Sequence, residues 1–206
     1  MLQRIKKNIL KIPFLAHPLI CLNTMLITGS FSNSSLTFEK KAELLVEIAK
    51  KYNLKILVET GTHKGDTMYY CKDYFDELFS IELDHEFYIY SKNKLSNYKN
   101  VHIVEGDSGV VLVEILKNIN KPVLFWLDAH YSGVGTAKGD FDTPVIKELD
   151  YILNKNLNCV ILIDDARLFR GRGRYPQLKS IKKMLKKYSD YKIEVRNDII
   201  RIYIKN

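Results

Sequence analysis

The stretch Lys55-Ile56-Leu57-Val58-Glu59-Thr60-Gly61-Thr62-His63-Lys64-Gly65-Asp66-Thr67 decides how this chain is to be read. It opens as a short apolar run that ends in an acidic residue, and it closes as a polar loop held between two glycines. The pattern predicts a strand over Lys55–Glu59, a tight turn, and a helix over about Asp66–Tyr74. Glycine tolerates positive φ and lets a ligand approach the backbone closely. The loop lacks the third glycine of the G-x-G-x-x-G dinucleotide fingerprint, which argues against that class of ligand.

Working outward, short apolar runs alternate with amphipathic segments. Leu78–Glu82, Val101–Val104, Pro122–Leu127 and Cys159–Ile163 read as strands. Helices are expected at His85 to Leu95, Gly109–Ile119, Phe141–Leu153 and Pro176–Tyr188, with Pro176 near a first turn where its missing N–H is harmless. Upstream, a helix starts near Phe38, capped by Ser35 or Thr37, and buries Leu44, Leu45, Ile48 and Ala49. Repeated strand–helix units imply a parallel sheet with helices on both faces. The end differs: Tyr191–Val195 and Ile199–Ile204 are joined by Asn197-Asp198 with no room for a helix, so an antiparallel hairpin closes the sheet.

The 206 residues suit one domain, 37–206, behind an arm and linker, 1–36. Hydrophobic residues make up 46%, enough for a core and too many for a disordered chain. Cys21, Cys71 and Cys159 form no C-x-x-C pair, so neither zinc ligation nor a disulfide framework is suggested, and a reducing, cytoplasmic compartment is expected. In the arm, Arg4, Lys6, Lys7 and Lys11 precede an apolar stretch from Ile12 to Ile27 that Pro13, His17, Pro18 and Asn23 interrupt. It is shorter and more broken than the roughly 20 apolar residues of a membrane span. It reads as a segment that packs on the domain, on a second copy in a homodimer, or on a membrane surface. The formal charge of +8, concentrated there and from Arg167 through Lys187, favours anionic partners or forms a solvated face.

In an open parallel sheet, ligands sit at the carboxyl ends of the strands. After the second strand comes Glu82-Leu83-Asp84, where either acid can accept hydrogen bonds from ribose hydroxyls or sit at a helix N-terminus. After the third comes Gly106-Asp107-Ser108, where Asp107 can accept from an adenine amine, cap a helix, or do both.

These junctions, in this order and spacing, resemble class I S-adenosylmethionine-dependent methyltransferases over about Lys55 to Asn206. The resemblance implies a Rossmann-like, seven-stranded α/β sheet, mostly parallel, with a C-terminal hairpin. It implies S-adenosylmethionine as cofactor, held around Glu59, Thr60, Gly61, Thr62, Gly65, Thr67, Glu82, Asp107, Ser108 and Asp128. His63 stands where many members have the middle glycine of G-x-G-x-G, although related branches carry E-T-G-T-x-x-G-x-[ST].

The fourth strand ends in Asp128-Ala129-His130-Tyr131 and the fifth in Asp164-Asp165. If those strands are neighbours, their tips lie about 5 Å apart. Three carboxylates that close need a proton or a cation between them. Asp128, Asp164 and Asp165 are therefore candidate ligands for Mg²⁺ or Ca²⁺, which would hold and acidify substrate hydroxyls. This arrangement is similar to metal-dependent O-methyltransferases of the catechol and macrolide-sugar type. The series Asp128, His130, Tyr131 and Asp142 is similar to a bacterial family associated with glycan and secondary-metabolite pathways. Between them, Gly133, Gly135 and Gly139 suit a lid or an ordinary loop. His130 is the candidate general base, since its unperturbed pKa of about 6.5 suits a hydroxyl proton. Tyr131, Arg167 and Arg170 are candidate substrate contacts, and with Arg172 and Arg174 the arginines suggest an anionic acceptor.

The function expected is thus O-methylation of a hydroxylated small molecule or glycan precursor. The basic charge raises a nucleic-acid methyltransferase as an alternative, but Asp128-Ala129-His130-Tyr131 is not the [DN]-P-P-[YFW] of base-amine enzymes. A non-catalytic adenosylmethionine-binding module is the third reading.

Overall fold

The structure is a computed structural model that describes residues 36–128, 143–171, 175–188 and 191–204. Within them the order is α1 (Phe38–Tyr52), β1 (Ile56–Thr60), α2 (Asp66–Cys71), β2 (Glu77–Glu82), α3 (His85–Leu95), β3 (Val101–Glu105), α4 (Ser108–Asn118) and β4 (Val123–Leu127). α5 (Val145–Asn154), β5 (Cys159–Ile163), α6 (Leu178–Leu185), β6 (Tyr191–Arg196) and β7 (Ile199–Ile204) follow. The strands form one sheet in the order β3-β2-β1-β4-β5-β7-β6. The first five run parallel, and β7 lies antiparallel to both β5 and β6.

The central strands β1, β4 and β5 are buried at every position, as expected where helices cover both faces. Alternation along each strand sorts the apolar side chains into two layers. Ile56, Val58, Phe125, Leu127, Ile161 and Ile163 pack with α4, α5 and α6. Leu57, Leu124, Trp126, Val160 and Leu162 face the opposite way, toward α1, α2 and α3. The hairpin turn needs positive φ at both central residues, and Asn197 (56°) and Asp198 (62°) supply it. No helix among the described residues is long and apolar enough to cross a membrane.

Two helix starts and one helix cap depart from expectation. α5 begins at Val145, because Thr143 precedes Pro144 and a residue before proline is turned away from helical φ/ψ. α6 begins at Leu178, because Gln177 stays extended and bridges antiparallel to Arg170; Pro176 thus precedes the helix. Thr37 occupies the N-cap position of α1 but makes no side-chain capping bond there. Ser35 and Phe141 lie outside the described residues.

Candidate functional site

Because β1 to β5 are parallel, Thr60, Glu82, Glu105, Leu127 and Ile163 end at one edge of the sheet. The glycine loop starts that edge. Gly61 has φ 90°, His63 φ 48° and Gly65 φ 70°, so the chain reverses through three left-handed positions before α2. A Cβ on Gly65 would stand 3.0 Å from Leu95 Cδ1 and 3.2 Å from Ser91 Cβ. This glycine thus seats the start of α2 tightly against α3.

Carboxylates and hydroxyls tie the loop to β2. The Ser80 hydroxyl donates to Glu59 Oε2 at 2.5 Å and lies 2.6 Å from the Thr62 hydroxyl. Thr67 also hydrogen-bonds the Glu59 carboxyl. Burial pushes that carboxyl up to about 8, against the pull of the Ser80 and Thr67 hydroxyls, while Asp128 and Glu82 add to the rise. Glu82 reaches across the loop: its Oε2 accepts from His63 N at 2.6 Å and its Oε1 from Asp84 N at 2.8 Å. Asp84 is the N-cap of α3 and accepts from Glu86 N and Phe87 N. Of the two acids after β2, Glu82 therefore faces the glycine loop and Asp84 serves the helix. Asp107 caps α4 by accepting from Gly109 N at 2.8 Å through Oδ1. Ser108 is buried behind it.

At the reactive end the backbone ladder runs one residue past the strands. Asp128 N donates to Thr60 O and Asp164 N to Leu127 O. Asp128, Asp164 and Asp165 do share the tips of β4 and β5, but the cation among them is Lys41 of α1. Its ammonium is hydrogen-bonded to Asp164 Oδ2 and lies 5.9 Å from the centre of the Trp126 ring. Burial opposes the charge on Lys41, yet the bond to Asp164 and the charges of Asp164, Asp128 and Asp165 outweigh it and raise its pKa. Burial and Asp128 push Asp164 up to about 6, against the pull of Lys41. The two shifts record different costs: the ammonium gains from the pair, while the carboxylate loses more by burial than it recovers. The ionic pair is the form at neutral pH.

The three carboxylates expected as metal ligands are thus partly engaged within the protein. Asp164 Oδ1 accepts from Asp165 N at 2.8 Å, and Asp165 Oδ1 accepts from Arg167 Nη1 at 2.5 Å. No group of three His, Cys, Asp or Glu side chains converges as metal ligands among the described residues. Of the three expected ligands, Asp164 and Asp165 already answer to Lys41, Arg167 and the backbone.

Arg167 is likewise paired within the domain, although its side chain stays half exposed. Its Nη1 also pairs with Asp198 of the hairpin turn, whose Oδ1 accepts from Arg167 N at 2.7 Å. This arginine locks the loop after β5 to the turn between β6 and β7. Arg170 is exposed and its backbone bridges to Gln177. His130, Tyr131, Asp142, the three loop glycines, Arg172, Arg174 and the N-terminal arm lie outside the described residues.

Sequence reading missed two residues. Lys41 lies three and four positions before Leu44 and Leu45, so the apolar stripe of α1 runs onto it. Glu148 interrupts the stripe of Val145, Leu149 and Ile152 on α5. It is 1% exposed and lines a small open pocket beside Leu127, Asp128, Asp164, Asp165 and Phe169. Burial pushes its carboxyl up to about 7, although Ser108 and Thr60 hydrogen-bond it. Its Oε1 has no hydrogen-bond partner among the described residues.

No protein-family model matches the sequence, and no curated protein does. Solved structures do share its fold. The Podospora anserina methyltransferase PaMTH1, solved with S-adenosylhomocysteine bound, is 16% identical with TM-score 0.60, over 83% of this chain and 80% of that one. The O-methyltransferase TomG from Streptomyces achromogenes, involved in tomaymycin synthesis and solved with S-adenosylmethionine, is 14% identical with TM-score 0.61, over 83% and 82%. The 23S rRNA methyltransferase ErmE is 16% identical with TM-score 0.52, over 84% and 70%. At these identities the likeness is one of fold: the chain has the Rossmann-like methyltransferase architecture, its hairpin included.

Proposed function

We propose that this protein is an S-adenosylmethionine-dependent methyltransferase that methylates a hydroxyl of a small molecule or glycan precursor. One observation carries the reading: Glu82 spans from the second strand tip to the left-handed glycine loop, with Glu59 buried beneath it. This is a rigid acidic cradle at the ligand-binding edge of a sheet whose solved counterparts hold that cofactor or its product.

The residues fit the cofactor. Gly61 leaves backbone open to the methionine end. The carboxylate of Glu82, fixed by two backbone N–H groups, retains lone pairs for the ribose hydroxyls. Asp107 has a second oxygen for the adenine amine, and Ser108 supplies the backbone beside it. The bound cofactor would supply a methyl group on a sulfonium. Transfer to a hydroxyl breaks the S–C bond, forms an O–C bond and releases the hydroxyl proton, so a base is needed. His130, two residues after Asp128 in the sequence, is the base we assign, with Asp128 as its catalytic partner and Tyr131 as a substrate contact. Lys41 supplies the local positive charge; no step is routed through a metal.

The test is calorimetric titration with S-adenosylmethionine, followed by S-adenosylhomocysteine release against a panel of hydroxylated glycans and phenols, with and without Mg²⁺. Binding with release on a hydroxylated acceptor is expected. Absence of cofactor binding would sink the proposal. Release only on RNA, with salt-sensitive binding, would favour the nucleic-acid reading to which the +8 charge and the ErmE fold also point.

A further inference from the structure

The cavity at the β4–β5 tips differs in character from the anionic-acceptor site that the arginine-rich loop suggests. Neither Arg167 nor Arg170 is among the residues that line it. Arg167 spends its guanidinium on Asp165 and Asp198, and Lys41 spends its ammonium on Asp164. Among the described residues its charged lining is carboxylate only, Asp128, Asp164, Asp165 and Glu148, beside Thr143 and Tyr175 and with Leu127 and Phe169 as apolar walls.

Glu148 is the informative member. Buried acceptors are almost always hydrogen-bonded, and a carboxylate offers several lone-pair directions. Thr60 and Ser108 satisfy part of this one. Oε1, in a side chain 1% exposed, has no partner among the described residues and belongs to a cavity-lining residue. In the ionised form of Glu148, an oxygen so placed is complete only when a donor enters the cavity. A phosphate or carboxylate has no proton to give and would meet four acidic side chains. A hydroxyl can donate once but leaves the charge unanswered. An ammonium group brings both donors and countercharge.

We propose that this cavity is the acceptor subsite and that it takes a protonated amine. The acceptor is then a hydroxylated molecule bearing an ammonium group that hydrogen-bonds Glu148 Oε1, with its carbon skeleton against Leu127 and Phe169. This rests on the methyltransferase reading above and narrows its substrate class.

The experiment uses the full chain with two triads of probes. Glucosamine, glucose and glucuronate share one skeleton; tyramine, 2-(4-hydroxyphenyl)ethanol and 4-hydroxyphenylacetate share another. Affinities are measured by calorimetry with and without saturating S-adenosylhomocysteine. In at least one triad the amine should bind at least tenfold more tightly than its neutral and anionic counterparts. Glu148→Gln should erase that preference while S-adenosylhomocysteine affinity stays within twofold. Thr143→Trp, which fills the cavity and leaves residue 148 unchanged, should do the same and guards against a misfolded glutamine variant. Equal affinities within both triads, a preference for the acids, or a preference that survives both substitutions would overturn the proposal. Failure of S-adenosylhomocysteine to bind would instead strike the methyltransferase reading, and the amine arm without it still decides the cavity's ligand.

Discussion

The ammonium of Lys41, in the first helix, is hydrogen-bonded to the carboxylate of Asp164 at the tip of β5, 123 residues further along the chain. The pair holds α1 against the reactive edge of the sheet and places a fixed positive charge among Asp128, Asp164 and Asp165. Lys41→Met would leave a buried carboxylate beside another. Breaking one side of such a pair, with Lys41 only partly exposed, should cost about 2–3 kcal/mol. Asp164→Asn should rescue part of that loss, with a coupling of at least about 1 kcal/mol in a double-mutant cycle. Additive losses in denaturant unfolding would show that the pair does not hold the helix.

The same pair makes a prediction about metals. With Asp164 and Asp165 engaged by Lys41, Arg167 and a backbone N–H, Mg²⁺ at millimolar concentration should leave the thermal midpoint of the wild-type protein unchanged. Stripping with a chelator should leave S-adenosylhomocysteine affinity unchanged as well. A rise of several degrees on adding Mg²⁺, reversed by chelator, would restore the divalent-ion site.

Two buried glutamates set the pH dependence of folding. Glu59 titrates at about 8 and Glu148 at about 7, both raised chiefly by burial from 4.5. Each binds its proton more tightly folded than unfolded. Its contribution is therefore full below about pH 4.5 and is lost as pH rises through the folded value. The ligand-free protein should lose stability between pH 5 and 8. Glu148→Gln, which keeps the neutral shape, should flatten that decline by roughly 2–3 kcal/mol. Parallel wild-type and variant curves over this range would mean that Glu148 is ionised throughout.

Gly61 carries φ 90° at the mouth of the cofactor cradle. A valine there would adopt a left-handed conformation at a cost of about 1–3 kcal/mol and place its branches where the methionine end should lie. Gly61→Val should remain folded by circular dichroism, with a midpoint a few degrees lower, and should lose S-adenosylmethionine binding at least a hundredfold. Retained affinity would move the cofactor away from this loop.

Much of the architecture was legible in the residues. α3, β5 and β7 have the bounds that periodicity assigns them, because each is a regular stripe or apolar run closed by an acid, asparagine or turn. The starts of α5 and α6 were misread for local reasons: Pro144 redirects Thr143, and the long-range bridge from Arg170 holds Gln177 extended. The site divides in the same way. Glu82 and Asp107 stand at strand ends, so their position follows from topology. Lys41 and Glu148 lie inside helices, where a polar residue in an apolar stripe is the sole trace they leave.

Taken alone, the chain's pattern of runs, stripes and turn residues settles the strand type, the two-faced burial and the closing hairpin, since all three depend on interactions between near neighbours and on burying apolar surface. Which carboxylate meets which cation is another matter. Lys41, Asp164, Arg167 and Asp198 are brought together by the packing of α1 and the hairpin onto the edge of β5. Coulomb energies depend on distances and burial that no spacing along the chain encodes, so the tertiary structure alone decided that an ammonium meets the acidic cluster and that Glu148 has an oxygen with no hydrogen-bond partner among the described residues.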